Sequence, residues 1–591
     1  MKTNIHNQHY LNLTVALTGM VIALLLNTAH AADPRTNSWF TTYSGMYARI
    51  YTNNTMLSNG TALTTWSNGS QTQSSPAYCG VQEVFSSSNW VYVRSSGLAS
   101  YTMGPWQNGS FPNLPANQKL LYRVPRTNGV PTTKTLTGGG QIGIFVDGVE
   151  MFNSWDAFAW NGSSEVNAGT TTYYWNRDAY VNEGATFDPG YAHQQNTGTY
   201  HYHASPIALR YLLGDNVNFN PATKTYSEST NAPTQHSPIL GWVADGFPVY
   251  GPYGYSNATN ANSGIRRMIS GYVIRNGSYG TSNLTANGRS TIPQWAVRLF
   301  GVASNIVSGP AVSTTYPLGR YMEDNDYLGD HGYTQGVDFD LDQYNGRYCV
   351  TPEFPNGTYA YFVAISSNGT PVFPYNIGRG YYGSPAGGSV SSISETVATN
   401  FLGGPEAVPA LNTPAVNSGT VTLTWSATEG GTYMVQSTTN LTTWTTNTTT
   451  IAAVLNGASY TNNPTDNYRF YRVARTALAT YDSAGGSGGT TGSGTTYAVP
   501  GNSSVSRGTG TNITLSITLP GTPPSPPAGA SISSVTLGSL TATSVSYATQ
   551  GTVLANFTIP SNATIGEQTV VVTFTSGPPP YTFSNALNIT L

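Results

Sequence analysis

The chain repeats part of its own sequence, and the repeat limits the folds that it can adopt. Ile142–Phe152 (IGIFVDGVEMF) matches Leu240–Tyr250 (LGWVADGFPVY), and Thr197–His203 (TGTYHYH) matches Asn356–Phe362 (NGTYAYF). Each copy joins an apolar run to a Tyr-rich segment of strand type, which predicts a β domain built from two related units. The second copy is longer, and its extra residues lie mostly within 256–345.

Composition points to the same class of fold. Only 8% of the 591 residues are charged and the formal net charge is −3, so the basic field that a nucleic-acid-binding protein needs is missing. Gly (64) and Tyr (40) are abundant, as in chains of short strands joined by many turns. We therefore expect an all-β protein, in which a large pseudo-duplicated β domain is followed by two small β-sandwich modules.

The N-terminus predicts export. Lys2 precedes a largely apolar stretch, Leu13–Leu26, and small residues follow at the two positions that a signal peptidase reads, Ala29 and Ala31. The alternative, a membrane anchor, needs a longer apolar run and a stop-transfer flank. We predict a signal peptide at residues 1–31 and a secreted or cell-surface protein without an integral membrane segment.

The mature chain divides by composition into a large domain, two modules and two linkers. Residues 33–383 form an aromatic-rich domain that holds every histidine outside the signal peptide. The stretches 384–409 and 479–496 consist mostly of small and polar residues with glycine, so we predict that both are linkers.

The two modules show the alternation of β-sandwiches. Residues 410–478 alternate apolar and polar positions, with Trp and Tyr as anchors, and they resemble fibronectin type III domains. Residues 497–591 carry strand patterns such as Ile513–Leu519 and Val570–Phe574 and resemble an immunoglobulin-like domain of the IPT/TIG group. The last region shows no chemistry of its own.

Two cysteines, Cys79 and Cys349, are the thiols of the chain. In an oxidising compartment two cysteines more often pair than act, so we predict a disulfide between them. Such a bond would tie the start of the large domain to its end. The alternative is that one or both ligate a metal.

Five histidines follow the predicted signal peptide, within about 140 consecutive residues: His193, His201, His203, His236 and His331. In a strand, residues two apart point to the same face, so the segment Tyr200–His203 places both of its imidazoles on one side. Such a pair is a recurrent half-site for zinc or copper, completed by a third histidine or a carboxylate. The alternative is a buried polar strand whose imidazoles bond to backbone groups.

The second copy lacks these histidines. It has Ala360 and Phe362 in their place and keeps both tyrosines, so apolar side chains suffice for folding at these positions. The imidazole pair therefore belongs to something that only the first copy has. We predict a divalent-metal site, with copper or zinc, on His201 and His203, completed by His236 or His193.

These motifs resemble those of the YHYH-domain family of secreted proteins. The resemblance is carried by Tyr200–His203, 236–253 (HSPILGWVADGFPVYGPY), 341–347 (LDQYNGR), 351–361 (TPEFPNGTYAY) and 373–378 (FPYNIG). It extends from about Ser38 to about Gly383. It implies an extracellular setting and supplies no established activity. Some relatives have histidines in the second copy too, so their absence here argues against a symmetric pair of sites.

Acidic residues suggest two further kinds of site. Asp338, Asp340 and Asp342 alternate before Asn345 in the manner of a calcium loop, which would stabilise an extracellular β domain; the alternative is a solvated acidic turn. Four carboxylates are in range for paired acid–base chemistry on a glycoside: Glu150, Asp156, Glu183 and Asp188. The sequence gives no separation between them, so it offers no test of that reaction.

Two functions fit these features. The first is a secreted protein with a histidine-based metal site that supports metal-dependent hydrolytic or oxidative chemistry. The second is a non-catalytic surface or adhesive protein that binds a polysaccharide or another cell-surface ligand, for which trailing sandwich modules are typical. The sequence does not decide whether the protein is an enzyme.

Overall fold

The structure is a computed structural model that describes most of the chain beyond residue 32. The described residues are 33–68, 71–106, 113–466, 469–485, 495–499, 503–506, 511–519, 532–549, 552–559, 563–564, 566–574 and 580–590. The predicted signal peptide, 1–31, and residues 486–494 of the second predicted linker lie outside them. Among the residues described, no helix combines the length and the apolar character needed to cross a membrane.

Strands dominate the structure, which confirms the predicted all-β class. The largest sheet, which we call the central sheet, has eight strands. Their spatial order is Ala192–Gln194, Tyr200–Tyr202, Glu150–Phe152, Gln141–Phe145, Ile239–Val243, Pro248–Tyr250, Thr358–Phe362 and Gly346–Cys349. The first four strands come from the first copy of the repeat and the last four from the second, so the duplication takes the form of two half-sheets.

The two half-sheets are related by an internal twofold axis. In the antiparallel pair at the centre, Ile144 lies opposite Trp242, and these two residues occupy equivalent positions of the repeat. The parallel pairs farther out also correspond, since Tyr202 lies beside Met151 as Tyr361 lies beside Val249. Positions of the two units can therefore be compared strand by strand.

A second sheet packs beside the central one and corrects a prediction. Its five strands are, in order, Gly388–Ser389, Leu120–Pro125, Trp90–Ser95, Val81–Ser86 and Ala398–Leu402. Both edge strands come from residues 384–409, so this stretch is not a linker. Edge strands are held by backbone hydrogen bonds, which small polar residues provide as well as large ones do, and composition does not reveal them.

Short elements complete the large domain. Smaller sheets pair Trp66–Asn68 with Gln71–Gln73, Trp155–Trp160 with Glu165–Asn167 and Asn176–Asp178, Val217–Asn220 with Thr225–Glu228, Tyr253–Tyr255 with Ile265–Arg267, and Tyr272–Ile274 with Asn325–Tyr327. The α-helices are Pro34–Asn37, Asn54–Asn59, Ala179–Glu183, Ile207–Leu212, Leu284–Asn287 and Gln294–Phe300. The 3₁₀ turns are Gly184–Thr186, Ser278–Gly280, Met322–Asp324, Leu328–His331 and Gly404–Glu406.

The two C-terminal regions are built of paired sheets. In the first, Ala415–Asn417, Thr420–Ser426 and Gly457–Asn462 face Thr445–Ala452, Gly431–Thr438 and Phe470–Leu478 around a core that includes Trp425 and Tyr433. In the second, one sheet holds Thr495–Val499, Thr511–Thr518, Thr552–Ile559 and Ser544–Thr549, and the other holds Ser503–Ser506, Tyr581–Thr590, Gly566–Phe574, Ile532–Leu537 and Leu540–Thr541.

The first of these regions is docked on the large domain through Glu429. The Glu429 carboxylate accepts hydrogen bonds from Arg49 Nη2 (2.6 Å) and from the Tyr47 backbone N–H (2.8 Å). The Tyr78 hydroxyl donates to the Glu429 carbonyl oxygen at 2.8 Å. The contact is thus polar and directional, with a single acidic residue at its centre.

The predicted disulfide is wrong. Cys79 and Cys349 are both buried and unpaired. Cys79 precedes a strand of the five-stranded sheet and its thiol donates to the Tyr43 carbonyl oxygen at 3.1 Å, whereas Cys349 ends the edge strand of the central sheet. Burial raises the pKa of Cys79 to about 12, so this thiol is unreactive.

Equivalent aspartates in the two units have different surroundings. Asp245 Oδ2 accepts hydrogen bonds from the Tyr361 hydroxyl (2.6 Å) and the Gly383 N–H (2.9 Å). Its counterpart Asp147 is also fully buried, but its Oδ2 has no hydrogen-bond partner among the described residues. Burial raises the pKa of Asp147 to about 7. A buried carboxyl of this kind is more easily held neutral than charged.

Substitution Asp147→Asn should therefore stabilise the protein more at high pH than at low pH. Because the pKa of Asp147 is higher in the folded than in the unfolded chain, the carboxyl costs stability as pH rises from its ordinary pKa to about 7. We expect the difference in Tm between the variant and the parent to grow by several degrees between pH 4 and pH 8. Differential scanning calorimetry measures this.

The matched control is Asp245→Asn. Burial raises the pKa of Asp245 too, to about 6, but this substitution weakens the hydrogen bonds from Tyr361 and Gly383, so it should lower Tm at both pH values. A Tm difference for Asp147→Asn that is the same at pH 4 and pH 8 would show that Asp147 is not an isolated buried carboxyl.

Candidate metal centre

Three histidines of the first unit converge on one face of the central sheet. His201 and His203 are two residues apart, and His193 lies directly opposite His201 on the neighbouring antiparallel strand. All three side chains are buried. One ring nitrogen from each lies within 4.8 Å of the other two. We call these three residues the histidine cluster.

The tyrosines of the same strand point to the opposite face and anchor it there. The Tyr101 hydroxyl lies 2.8 Å from the Tyr200 hydroxyl and 2.6 Å from that of Tyr202. The Tyr200 hydroxyl also donates to Asp188 Oδ2 at 2.6 Å. This buried network holds the strand in the register that turns its imidazoles toward the cluster.

Backbone carbonyls determine which ring nitrogens of the strand histidines carry protons. His201 Nδ1 lies 2.9 Å from the Thr199 carbonyl oxygen, and His203 Nδ1 lies 2.6 Å from that of Asn153. A carbonyl oxygen only accepts hydrogen bonds, so both Nδ1 atoms are assigned as protonated donors. In a neutral ring the lone pair is then on Nε2.

The hydroxyl of Thr186 orients the His193 ring in the same way as the carbonyls orient the other two rings. Thr186 Oγ1 donates its proton to the Glu183 carbonyl oxygen at 2.6 Å, so it accepts from His193 Nδ1 at 2.9 Å. The Nε2 side of this ring is thereby turned toward the other two imidazoles and toward the Glu183 carboxyl.

The result is a close contact between two acceptors. His201 Nε2 and His203 Nε2 lie 3.0 Å apart. Burial lowers the pKa of His201 well below its ordinary value and that of His203 to about 4, and the neighbouring imidazole lowers that of His201 further. Both rings are therefore neutral at physiological pH, and their lone pairs repel unless a cation or a proton lies between them.

Glu183 is the acidic member of the site. Its Oε2 lies 3.4 Å from His203 Nε2 and 3.7 Å from His193 Nε2. It ends the helix Ala179–Glu183, which Asp178 caps by accepting from the Val181 N–H. Its side chain is 28% exposed, so the cluster reaches solvent here. Burial raises the pKa of Glu183 to about 8, and the charge of nearby Asp156 raises it too.

Aromatic side chains enclose the remaining sides. Phe152 stacks on the His201 ring with centroids 3.9 Å apart and an interplanar angle of 19°. Phe187 lies parallel to His203 at 6.2 Å and edge-on to His193 at 4.8 Å. These aromatic rings limit the access of water to the imidazoles and restrict the movement of the imidazole rings.

The donor set fits a transition-metal ion. Zinc binds imidazole nitrogen at about 2.0–2.1 Å in tetrahedral sites, so two ligating nitrogens lie about 3.3 Å apart. The Nε2 atoms of His201 and His203 already approach this separation, at 3.0 Å. Three imidazoles are ligands that zinc and copper accept, and Glu183 borders them.

Residues 121–373 match the family model described as YHYH protein. We call the matched residues the YHYH domain; they include every strand of the central sheet and the histidine cluster. No curated protein matches the chain. The two C-terminal regions lie outside the matched residues, so their likeness to fibronectin type III and immunoglobulin-like domains stays a prediction.

The YHYH domain brings together three of the four histidines that the sequence proposes as ligands. His236 lies apart from them, against Tyr250 and Tyr255 of the second unit. His331, the fifth histidine, lies 2.8 Å from Asp326 Oδ2. Sequence reasoning noted Glu183 only as one of several carboxylates, because its place beside the cluster depends on a short helix that the sequence pattern does not reveal.

The carboxylates of the acidic triplet have separate partners in the structure, and the calcium site stays a prediction. The Asp340 carboxylate is held by both terminal nitrogens of Arg266, at 2.6 and 2.8 Å. Asp342 accepts from the Tyr359 hydroxyl (2.9 Å), and Asp338 accepts from the Thr334 N–H (2.8 Å). Each carboxylate thus has its own partners, and the three do not form a ligand cluster.

The lone-pair contact predicts that His203→Phe does not destabilise the metal-free protein. The substitution removes one of two repelling acceptors and introduces the residue that the second unit has at the equivalent position, Phe362. The substitution also deletes the hydrogen bond from His203 Nδ1 to the Asn153 carbonyl oxygen, and the relief of the lone-pair repulsion offsets this loss. We expect an unchanged or higher Tm in the presence of a chelator, measured by thermal denaturation.

The matched control on the same strand is Tyr200→Phe. It deletes the hydrogen bond to the buried carboxylate of Asp188, so it should lower Tm by several degrees. If His203→Phe lowered the metal-free Tm as much as Tyr200→Phe does, the imidazole pair would be a structural hydrogen bond rather than a strained contact.

Proposed function

We propose that the YHYH domain binds one divalent transition-metal ion through the imidazoles of His193, His201 and His203. The observation that carries the proposal is the 3.0 Å approach of two buried Nε2 atoms whose rings donate from Nδ1 to backbone carbonyls. Such an approach of neutral acceptors is costly without a cation, and a divalent ion relieves it. Zinc and copper are the ions that suit three imidazole ligands.

We further propose that the site supports metal-dependent hydrolysis. When bound, the metal supplies a Lewis acid that activates water for attack on a carbonyl or phosphoryl group. Glu183 is the side chain placed to accept and return a proton, because it borders the cluster and is partly exposed. Oxidative chemistry with tyrosine is less favoured, since Tyr200 and Tyr202 lie on the opposite face of the strand.

Metal analysis of the secreted protein tests the first part. We expect one zinc or copper ion per chain after dialysis against the metal, measured by plasma mass spectrometry, and none in the double variant His201→Ala, His203→Phe. The matched control is His236→Phe, which removes a buried histidine outside the cluster and should keep the full metal content. Equal metal content in the parent and the double variant would refute the site.

The variant Glu183→Gln tests the proposed hydrolysis, and its metal content is measured in the same way. This variant keeps the three imidazoles, so it should retain the metal, while hydrolysis of p-nitrophenyl acetate by the loaded protein should fall by about 100-fold or more. A variant that keeps both metal and activity would show that Glu183 carries no proton in the reaction.

A further inference from the structure

Two of the buried nitrogen atoms that have no hydrogen-bond partner among the described residues lie around one phenylalanine ring of the second unit. They are Arg347 Nε and His236 Nε2. Arg347 is 5% exposed and His236 is 7% exposed. Buried polar groups in folded proteins are nearly always paired, so each such atom requires an explanation. Both side chains contact the Phe362 ring, which places them in one region of the domain.

Arg347 occupies the position that His193 has in the first unit. On the edge strand of the second unit Arg347 lies opposite Ala360, and on the edge strand of the first unit His193 lies opposite His201. Ala360 is the counterpart of His201 in the repeat. Where the first unit has an imidazole, which can bind a metal, the second unit therefore has a permanently charged guanidinium at the same place in the sheet.

His236 approaches the second unit from outside the repeat and contacts the counterparts of the residues around His201. In the first unit the His201 ring packs against Phe152 and His203. In the second unit the His236 ring lies 4.9 Å from Tyr250 and 5.8 Å from Phe362, which are equivalent to those two residues. One imidazole is therefore restored, but it comes from the segment before Ile239–Val243.

Among the described residues, the positive charge of Arg347 is compensated only by an ion pair that it shares with Arg266. The nearest carboxylate, Asp340, lies 3.7 Å from Arg347 Nη1 and is already held by Arg266 through two hydrogen bonds. Arg347 Nη2 donates to the Tyr255 carbonyl oxygen at 2.7 Å. Glu353 lies on the same side, where one of its oxygens accepts from the Tyr250 hydroxyl.

His236 supplies an acceptor rather than a second cation. Its Nδ1 donates to the Ser237 carbonyl oxygen at 2.8 Å, so the lone pair of the neutral ring is on Nε2. Burial lowers the pKa of His236 to about 4, and the charge of Arg347 lowers it as well. The region therefore presents one charged donor, Arg347 Nε–H, and one neutral acceptor, His236 Nε2.

We propose that Arg347 and His236 bind a protonated phosphate group, either free phosphate or a phosphate monoester. One phosphate oxygen accepts from Arg347 Nε–H, and the P–OH group donates to His236 Nε2. Gly254 packs closely against the guanidinium, since a Cβ there would lie 3.2 Å from Arg347 Nη2 and 3.1 Å from Phe362 Cε1. The partly exposed side chain of Tyr255 borders the region on the solvent side.

Sulfate is the discriminating ligand. At neutral pH inorganic phosphate has at least one proton and sulfate has none, so only phosphate can donate to His236 Nε2. A site that recognised charge alone would bind both ions equally. The prediction is independent of the proposed metal site, because neither Arg347 nor His236 belongs to the histidine cluster.

Calorimetric titration of the full chain tests the proposal. The protein is first stripped of metal, because phosphate also binds divalent ions. We expect saturable binding of one inorganic phosphate per chain at pH 7, at least tenfold tighter than sulfate. Arg347→Met and His236→Phe should each weaken phosphate binding at least tenfold, and thermal denaturation checks that both variants fold.

The double variant His201→Ala, His203→Phe is the matched control and should bind phosphate as the parent does. Glycerol phosphate distinguishes a phosphate monoester from free phosphate as the ligand. Tighter binding of glycerol phosphate than of inorganic phosphate indicates a monoester, and equal or weaker binding indicates the free ion. The proposal is overturned if no saturable phosphate binding occurs, which would mean that only a buried water pairs with the two nitrogen atoms. It is also overturned if sulfate binds as tightly as phosphate, or if both folded variants bind phosphate like the parent.

Discussion

The 3.0 Å contact between His201 Nε2 and His203 Nε2 is the interaction on which the functional account depends. The Nδ1 proton of each ring is assigned to a hydrogen bond with a backbone carbonyl oxygen, so the lone pairs of the two Nε2 atoms face each other. Phe152 presses on one of the rings from the side. Strain of this kind persists only where the surrounding structure determines it and is a feature of functional sites.

The internal twofold axis supplies a comparison within one molecule. The second unit builds the same strand with Ala360 and Phe362, so the fold does not need the imidazoles of the first unit. It also puts Arg347 where the first unit has His193. The two units of the sheet therefore differ in chemistry: the first carries three neighbouring imidazoles, and the second carries a guanidinium beside one imidazole.

The sequence alone predicts the part of this site that follows from strand periodicity. Tyr200–His203 alternates at period two, and the two strand histidines do share a face. Glu183 could not be assigned to the cluster, because its place depends on the cap of a short helix and on packing between distant segments. Two other predictions failed for a related reason. The disulfide of Cys79 is predicted from an oxidising compartment and the linker at residues 384–409 from composition, and neither property specifies which strands pair.

X-ray absorption spectroscopy of the stoichiometrically loaded protein tests the central claim most directly, since it reports the ligands around the bound ion. The account predicts three imidazole nitrogens at about 2.0–2.1 Å, together with an oxygen ligand and no sulfur. Replacing His193 by Ala should leave two imidazoles in the spectrum. A first shell that contains sulfur, or one without imidazole scattering, would contradict a metal centre on the Tyr200–Tyr202 strand.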